Sequence, residues 1–256
     1  MPPVIDHHAH INLNYGHRHK TGAEEVLRGM DEAGVDQSIL IDLSALYGGD
    51  YRRGNAEAAE IAAQRPDRFM CFAYLHPPMH GVEACLRHAD EALTQMGHLG
   101  LKLHPVSDCH PADSREYVYP ILERCREHRV PIFIHAGHAP YSGPILFAGL
   151  ARDFPDVDII LGHIGHAMFA DACYVAMKHP NIWIDTSMNH GGPLRNALAA
   201  VGPRRLLYGS DNPTSHPIAC KTLIESLDIG REEKGLILGG NILRLLGLEP
   251  AEGGRG

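Results

Sequence analysis

The chain has 256 residues, 44% hydrophobic and 21% charged, with a formal net charge of −8, the composition of a globular protein able to bury a sizeable core. The acidic balance and a pI near 6.1 leave no basic footprint, so nucleic acid is not an expected partner. No apolar stretch approaches about 18 residues and no charged-then-apolar leader is visible, so neither a membrane partner nor secretion is expected and a cytoplasmic location follows.

Short aliphatic or β-branched runs alternate with longer helical patterns. In chain order, strands are expected at 3–8, 37–42, 69–75, 98–103, 131–135, 157–162, 181–186 and 205–209. The helices between them fall at 21–34, 54–65, 79–96, 115–128, 143–153, 166–178 and 192–201, with a final pair at 215–227 and 230–246. Local signals mark several boundaries: Gly34 closes the first helix, Pro66 and Pro155 follow the second and fifth, and Pro131 opens a strand. The strand runs are apolar throughout rather than alternating, as parallel strands covered on both faces should be. Eight such βα units predict an α/β fold of the closed (β/α)8 TIM-barrel type, with residues 1–256 as a single domain. A doubly wound open sheet would want a Gly-rich nucleotide loop after the first strand, and His8-Ala9-His10 stands there instead.

The six cysteines show no C-x-x-C spacing, which argues against a structural zinc knuckle or a disulfide framework. The 19 histidines are sorted by their position relative to strand ends, where a barrel carries its chemistry. His8 and His10, two apart at the end of the first strand, should point to one side and form a metal claw. Lys102 and His104 end the fourth strand, His135 the fifth, His163 follows the sixth and Asp211 the eighth. Imidazoles with a carboxylate suit zinc, manganese or iron, and three or four ligands leave an open coordination position. The expected cofactor is therefore one or two divalent transition metals per chain, zinc foremost, acting on a small-molecule substrate.

Taken in order, these motifs resemble the amidohydrolase superfamily, in its amidohydrolase-related branch of metal-dependent barrel hydrolases and decarboxylases. The resemblance runs through Ile5-Asp6-x-His8-x-His10, Gly100-Leu101-Lys102-Leu103-His104-Pro105, Ile134-His135-Ala136-Gly137 and Leu161-Gly162-His163-Ile164-Gly165. It continues with Tyr208-Gly209-Ser210-Asp211-Asn212-Pro213 and the closing Leu238–Leu246 segment. It implies that His8, His10, His135 and Asp211 hold the principal metal, that Asp211 is also the catalytic base, and that His163 either binds a second metal or acts as acid/base over the substrate. It leaves two roles open for Lys102: a carbamylated bridge between two metals, or a cation paired with a substrate carboxylate or a neighbouring acid.

Around this set, Asp6 shares the parity of His8 and His10 and is a candidate to orient one imidazole. His104, His138, His166 and Asn189 are candidate substrate contacts, with Tyr141, Ser142 and His190 nearby in the loops. Asp185 reads as a strand-end carboxylate without a specific role. Arg18, Arg52 and Arg53 are the basic residues nearest the expected mouth, while His17 and His19 read as solvent-exposed.

Three functions compete. The first is a hydrolase attacking an ester, lactone, thioester or amide with metal-activated water; the compact length and a bridging lysine favour it. The second is a non-oxidative decarboxylase of a small carboxylic acid, or a hydratase using the same metal. The third is a metal-binding barrel without catalysis, disfavoured because no ligand position is degraded. A G-x-S-x-G elbow, an H-E-x-x-H helix and a phosphate loop are all missing. The oligomeric state is left open, a homo-oligomer included.

Overall fold

The computed structural model describes residues 2–12, 21–47 and 49–248. The runs read as strands are strands: β1 (Ile5–Ile11), β2 (Gln37–Asp42), β3 (Phe69–Cys71), β4 (Ala73–Tyr74), β5 (Leu101–Leu103), β6 (Ile132–Ile134), β7 (Ile159–Leu161), β8 (Ile182–Asp185) and β9 (Leu206–Leu207). All neighbouring pairs are parallel, in the orders β1-β2-β3 and β4-β5-β6-β7-β8-β9. The expected strand 69–75 divides at the buried Phe72. Its N–H donates to Leu40 O, while the next N–H, of Ala73, donates to Gly100 O, so the chain passes there from one group of strands to the other.

The ring is completed between the last strand and the first. His7 N–H donates to Tyr208 O at 3.1 Å, His10 N–H to Asn212 O at 2.7 Å and Asp211 N–H to His8 O at 2.8 Å. The fold is thus the α/β barrel that the βα repeat predicts, with β1 as its longest strand and fully buried.

Helices cover the outside because each presents an apolar stripe to the strands. In Ala23–Ala33 that stripe is Val26, Leu27, Met30 and Ala33, the spacing of one helical face. Burying four such side chains contributes roughly 1.5–3 kcal/mol for each large one. Among the described residues, no helix is long and apolar enough to cross a membrane.

One departure from regular pairing matters for the site. In β1 the register moves from Asp6 opposite Ser38 to Ala9 opposite Leu40, so three residues on β1 span two on β2. Such a bulge breaks strict alternation. It changes what His7, His8 and Asp6 face.

Candidate metal centre and cavity

The bulge lets two consecutive imidazoles reach one carboxylate. His7 Nε2 lies 3.0 Å from Asp185 Oδ1, and His8 Nδ1 lies 3.1 Å from Asp185 Oδ2. Asp185 also accepts from the backbone N–H groups of His163 (2.9 Å) and Ser187 (3.0 Å) and from the Ser187 hydroxyl (2.6 Å). Its burial alone would favour the neutral acid, but the hydrogen bonds it accepts from His8 and His7 hold its carboxyl far below the usual carboxylate range. Close approach of the segment that follows β9 is possible only because Gly209 lacks a side chain; a Cβ there would stand 2.4 Å from Asp185 Oδ1 and 2.9 Å from the His8 Cβ.

Hydrogen-bond partners fix the tautomers of the claw. Because a carboxylate only accepts, His8 donates from Nδ1 to Asp185, leaving a lone pair on Nε2. His10 Nδ1 faces the Ile41 carbonyl at 3.2 Å, which also only accepts, so its Nε2 carries a lone pair too. These two nitrogens are 2.9 Å apart. Asp211 Oδ1 lies 3.2 Å from the first and 2.8 Å from the second.

Three lone-pair atoms therefore converge with no proton assigned between them. Donors about 2.0–2.2 Å from a tetrahedral ion would be about 3.3–3.5 Å apart, so small movements would seat a divalent cation. The donor set, two imidazoles and one carboxylate, fits such an ion. Asp211 is aimed by its own backbone: φ is 68°, a left-handed conformation that side-chain-bearing residues seldom adopt, and its N–H is tied to His8 O. Burial opposes its ionisation, yet the contact with His10 and the charge of Lys102 beyond it hold its carboxyl below the ordinary value.

His8, His10, Asp211, Lys102, His104, His135, His138, His163 and His166 line one cavity of about 330 Å³, closed on other sides by Leu43, Leu46, Met188 and Thr214. Its walls are largely neutral imidazole. Burial is the main cause of the low pKa at each shifted ring: His8 and His163 lie well below the usual range, His135 and His166 below it, and His104 is lowered to about 3. Lys102, also buried, is lowered to about 7 by desolvation against the opposing pull of Asp185, Asp211 and Asp108. Its Nζ rests 3.3 Å above the centre of the Phe133 ring, a cation–π contact.

The structure does not gather every expected ligand at one point. His8, His10 and Asp211 form one compact group; His135 belongs to another, with His138 and His166. Between the two lies His163, whose Nδ1 is 2.9 Å from Ser187 Oγ and whose Nε2 is 3.1 Å from His135 Nδ1. A third compact group, His8, His163 and Asp185, is the hydrogen-bonded network just described. His104 stacks on His135 with ring centres 3.9 Å apart, so it faces the cavity.

Other expectations change. Asp6 does not orient an imidazole. Because of the bulge it turns to the backbone, where its Oδ1 accepts from His8 N–H and Ser210 N–H. That task belongs to Asp185, read from sequence as a bystander. The Asn189 amide donates to the carbonyls of His163 and Ser187 and is not part of the cavity lining. Ser142 accepts from His138 N–H and shapes that loop, while His190 is exposed at the start of a helix. Arg52 pairs with Asp50, and Arg53 with Glu57, at exposed positions. Tyr15, His17, Arg18 and His19 lie outside the described residues. Sequence reasoning missed His7, Ser187 and Phe133. Of these, His7 carried a signal, as the third histidine of Asp6-His7-His8-Ala9-His10.

Comparison with known proteins bears on what this arrangement does. Gamma-resorcylate decarboxylase of Polaromonas sp. (strain JS666 / ATCC BAA-500) is 24% identical over 286 aligned residues, covering 87% of this chain and 86% of that protein. Among solved structures, a dihydroxybenzoic acid decarboxylase from Polaromonas sp. JS666, with bound manganese and the inhibitor 2-nitroresorcinol, superposes with a TM-score of 0.76 at 21% identity, over 98% of this chain and 99% of that one. The 5-carboxyvanillate decarboxylase of Sphingomonas paucimobilis gives a TM-score of 0.78 at 17% identity, over 97% and 100%. These relatives favour the decarboxylase alternative over the hydrolase preferred from sequence. Compact length does not separate the two reactions, since the chain spans 86% of that gamma-resorcylate decarboxylase. The amidohydrolase family model matches residues 5–248, and the chain belongs to that family of enzymes.

Proposed function

We propose that this enzyme is a metal-dependent non-oxidative decarboxylase of a small, hydroxylated aromatic carboxylic acid. The observation that carries the reading is the convergence of His8 Nε2, His10 Nε2 and Asp211 Oδ1 in a cavity that also holds the Lys102 ammonium. About 330 Å³ is the low end of the range for small-molecule sites and suits a single substituted ring. The decarboxylases to which the chain is similar support the reaction class.

His8, His10 and Asp211 would hold the ion, with manganese or zinc as the candidates. When bound, it supplies positive charge that anchors a carboxylate and its neighbouring hydroxyl. The rest falls to the chain. Lys102, backed by Phe133, adds a second cationic group for an anionic substrate. His104 and His163 stay neutral and offer polar walls without competing for that anion.

In the reaction a proton is delivered to the ring carbon that bears the carboxylate, the bond between them then breaks, carbon dioxide leaves, and the electron pair of that bond restores the aromatic ring. Asp211 is the assigned carrier. A carboxyl group whose pKa is held low is a strong acid in the moment it is protonated, as protonation of a weakly basic ring carbon requires. Its proton comes from the substrate hydroxyl, and the phenolate left on the product takes a proton from solvent.

Assays on hydroxybenzoates, aryl esters, lactones and thioesters, following both carbon dioxide and acid release, test the proposal. Carbon dioxide release, with solvent deuterium appearing on the product carbon, is expected. Acid release with water oxygen in the product and no carbon dioxide would restore the hydrolase.

A further inference from the structure

We propose that the helix Phe169–Lys178, with the helix Gly191–Val201 beside it, is the face through which two copies of this chain pair antiparallel about a two-fold axis. The outer side of the first helix is unlike a solvated one. Its exposed residues are Ala170, Asp171, Tyr174, Met177 and Lys178, and Tyr174 and Met177 stand one turn apart, 55% and 57% exposed. Among the described residues the other large exposed apolar side chains, such as Met79 and Ile218, occur one to a segment. Single ones are ordinary at a surface, whereas a contiguous patch marks a contact. Next to these two side chains a groove of about 330 Å³ runs between the helices, lined by the small residues Ala170, Cys173, Ala199 and Ala200.

Charge selects the occupant. Asp171 and Lys178 are seven residues apart, two helical turns or about 10.5 Å along the axis, so they lie on one stripe with Tyr174 between them. At that separation they cannot meet within one chain, and neither has an ion-pair partner among the described residues. A two-fold axis perpendicular to the helix, passing between Tyr174 and Val175, sets the stripe against its own reverse. Asp171 then faces Lys178 of the second copy, and the pair forms twice. The same operation carries Met177 of the second copy to a point between Ala170 and Cys173, so a protruding side chain meets the groove. Parallel pairing would instead oppose Asp171 to Asp171 and Lys178 to Lys178. Self-complementarity of this kind is what a contact between identical surfaces requires.

The face is anchored from behind. A Cβ at Gly137, where φ is 97°, would stand 2.5 Å from Gly165 O and 2.9 Å from the His166 Cβ, so only glycine lets the loop after β6 touch the coil after β7. In that coil His163, Ile164, Gly165 and His166 all hold left-handed φ values, between 48° and 72°. It leads directly into the helix, whose inner residue Ala172 packs on Gly165 at a distance that leaves an added Cβ 3.1 Å away. Pairing would therefore buttress the cavity wall that carries His163 and His166. This inference does not depend on which reaction the enzyme catalyses.

Helices of ten and eleven residues present a face at the small end of specific interfaces, which bury roughly 800 Å² per partner, so the dimer should exchange with monomer at micromolar concentration. Sedimentation velocity of the full-length protein across the micromolar range tests it, with circular dichroism and thermal melts as the check on folding. Wild type should pass from monomer to dimer. D171K and K178D, which place like charges opposite one another twice, should each weaken dimerisation about tenfold or more. The D171K/K178D double variant should recover it, because the two charges meet again with their roles exchanged, although each helix end then carries the less favourable sign. M177E should be monomeric throughout. A wild type that stays monomeric, or a dimer indifferent to M177E and to the single charge reversals, would overturn the interface. A double variant no tighter than the singles would overturn the antiparallel register.

Discussion

Asp185 Oδ2 stands 3.1 Å from His8 Nδ1, joining the end of β8 to the bulge of β1 across 177 residues of sequence. A carboxylate behind a ligating imidazole fixes its tautomer and raises its basicity. Replacing Asp185 by Asn puts an amide donor within reach of the same nitrogen. Metal affinity should fall by about 10–100-fold, measured by competition with a chromophoric chelator. Unchanged affinity in a folded variant would reduce the contact to a packing role.

Asp211→Asn keeps an oxygen beside His8 and His10 but cannot carry a proton. Turnover should fall on the order of 10²-fold or more, with metal content falling less. A variant with full metal and near-normal kcat would move proton transfer to His163.

Lys102→Met keeps the bulk over Phe133 and removes the charge. With the lysine acting as a substrate partner, metal per chain stays constant and KM for carboxylate substrates rises about 10–100-fold, the size of one lost charged hydrogen bond. A carbamylated bridge would instead cost the variant part of its metal. Desolvation lowers the Lys102 pKa to about 7, so the ammonium is present below that pH and lost above it. Wild-type kcat/KM should then fall as pH rises through about 7, and the variant should lack that limb.

Asp108 offers a test remote from the metal ligands. It is buried; Oδ1 accepts from the Tyr74 hydroxyl at 2.5 Å, and Oδ2 has no partner among the described residues. Burial pushes its carboxyl up from 3.8 to about 7. Between those values the folded protein keeps a proton that the unfolded chain has released, so stability falls as pH rises, by up to about 1.4 kcal/mol per unit. Asp108→Asn retains the acceptor for Tyr74 and removes the titration. Urea midpoints of the variant should gain on wild type between pH 4 and pH 7 and stay ahead above it; parallel curves would refute the buried acid.

The architecture was legible because its signals are local: apolar runs that must be covered on both faces, broken by helical stripes. The claw at His8 and His10 was legible too, since the bulge is taken up between Asp6 and His8 and leaves those two rings facing one another. The bulge itself was not, because a one-residue slip in pairing is decided by the neighbouring strand, and with it went the roles of Asp6 and Asp185. His135 shows the same limit. Its place at a strand end is written in the sequence, but which neighbours its ring meets depends on the coil of positive φ at His163–His166, set by packing between loops.

Barrels change substrates by rebuilding the loops above a fixed frame. The contact of Gly137 with Gly165 withdraws one wall from that process: any side chain at Gly137 would part the two loops and scatter four histidines at once. Divergence among close relatives should therefore be concentrated at Leu43, Leu46, Met188 and Thr214, which border the same cavity and are free of that constraint. Libraries aimed at a new acid should begin with these four positions and leave the histidine wall alone.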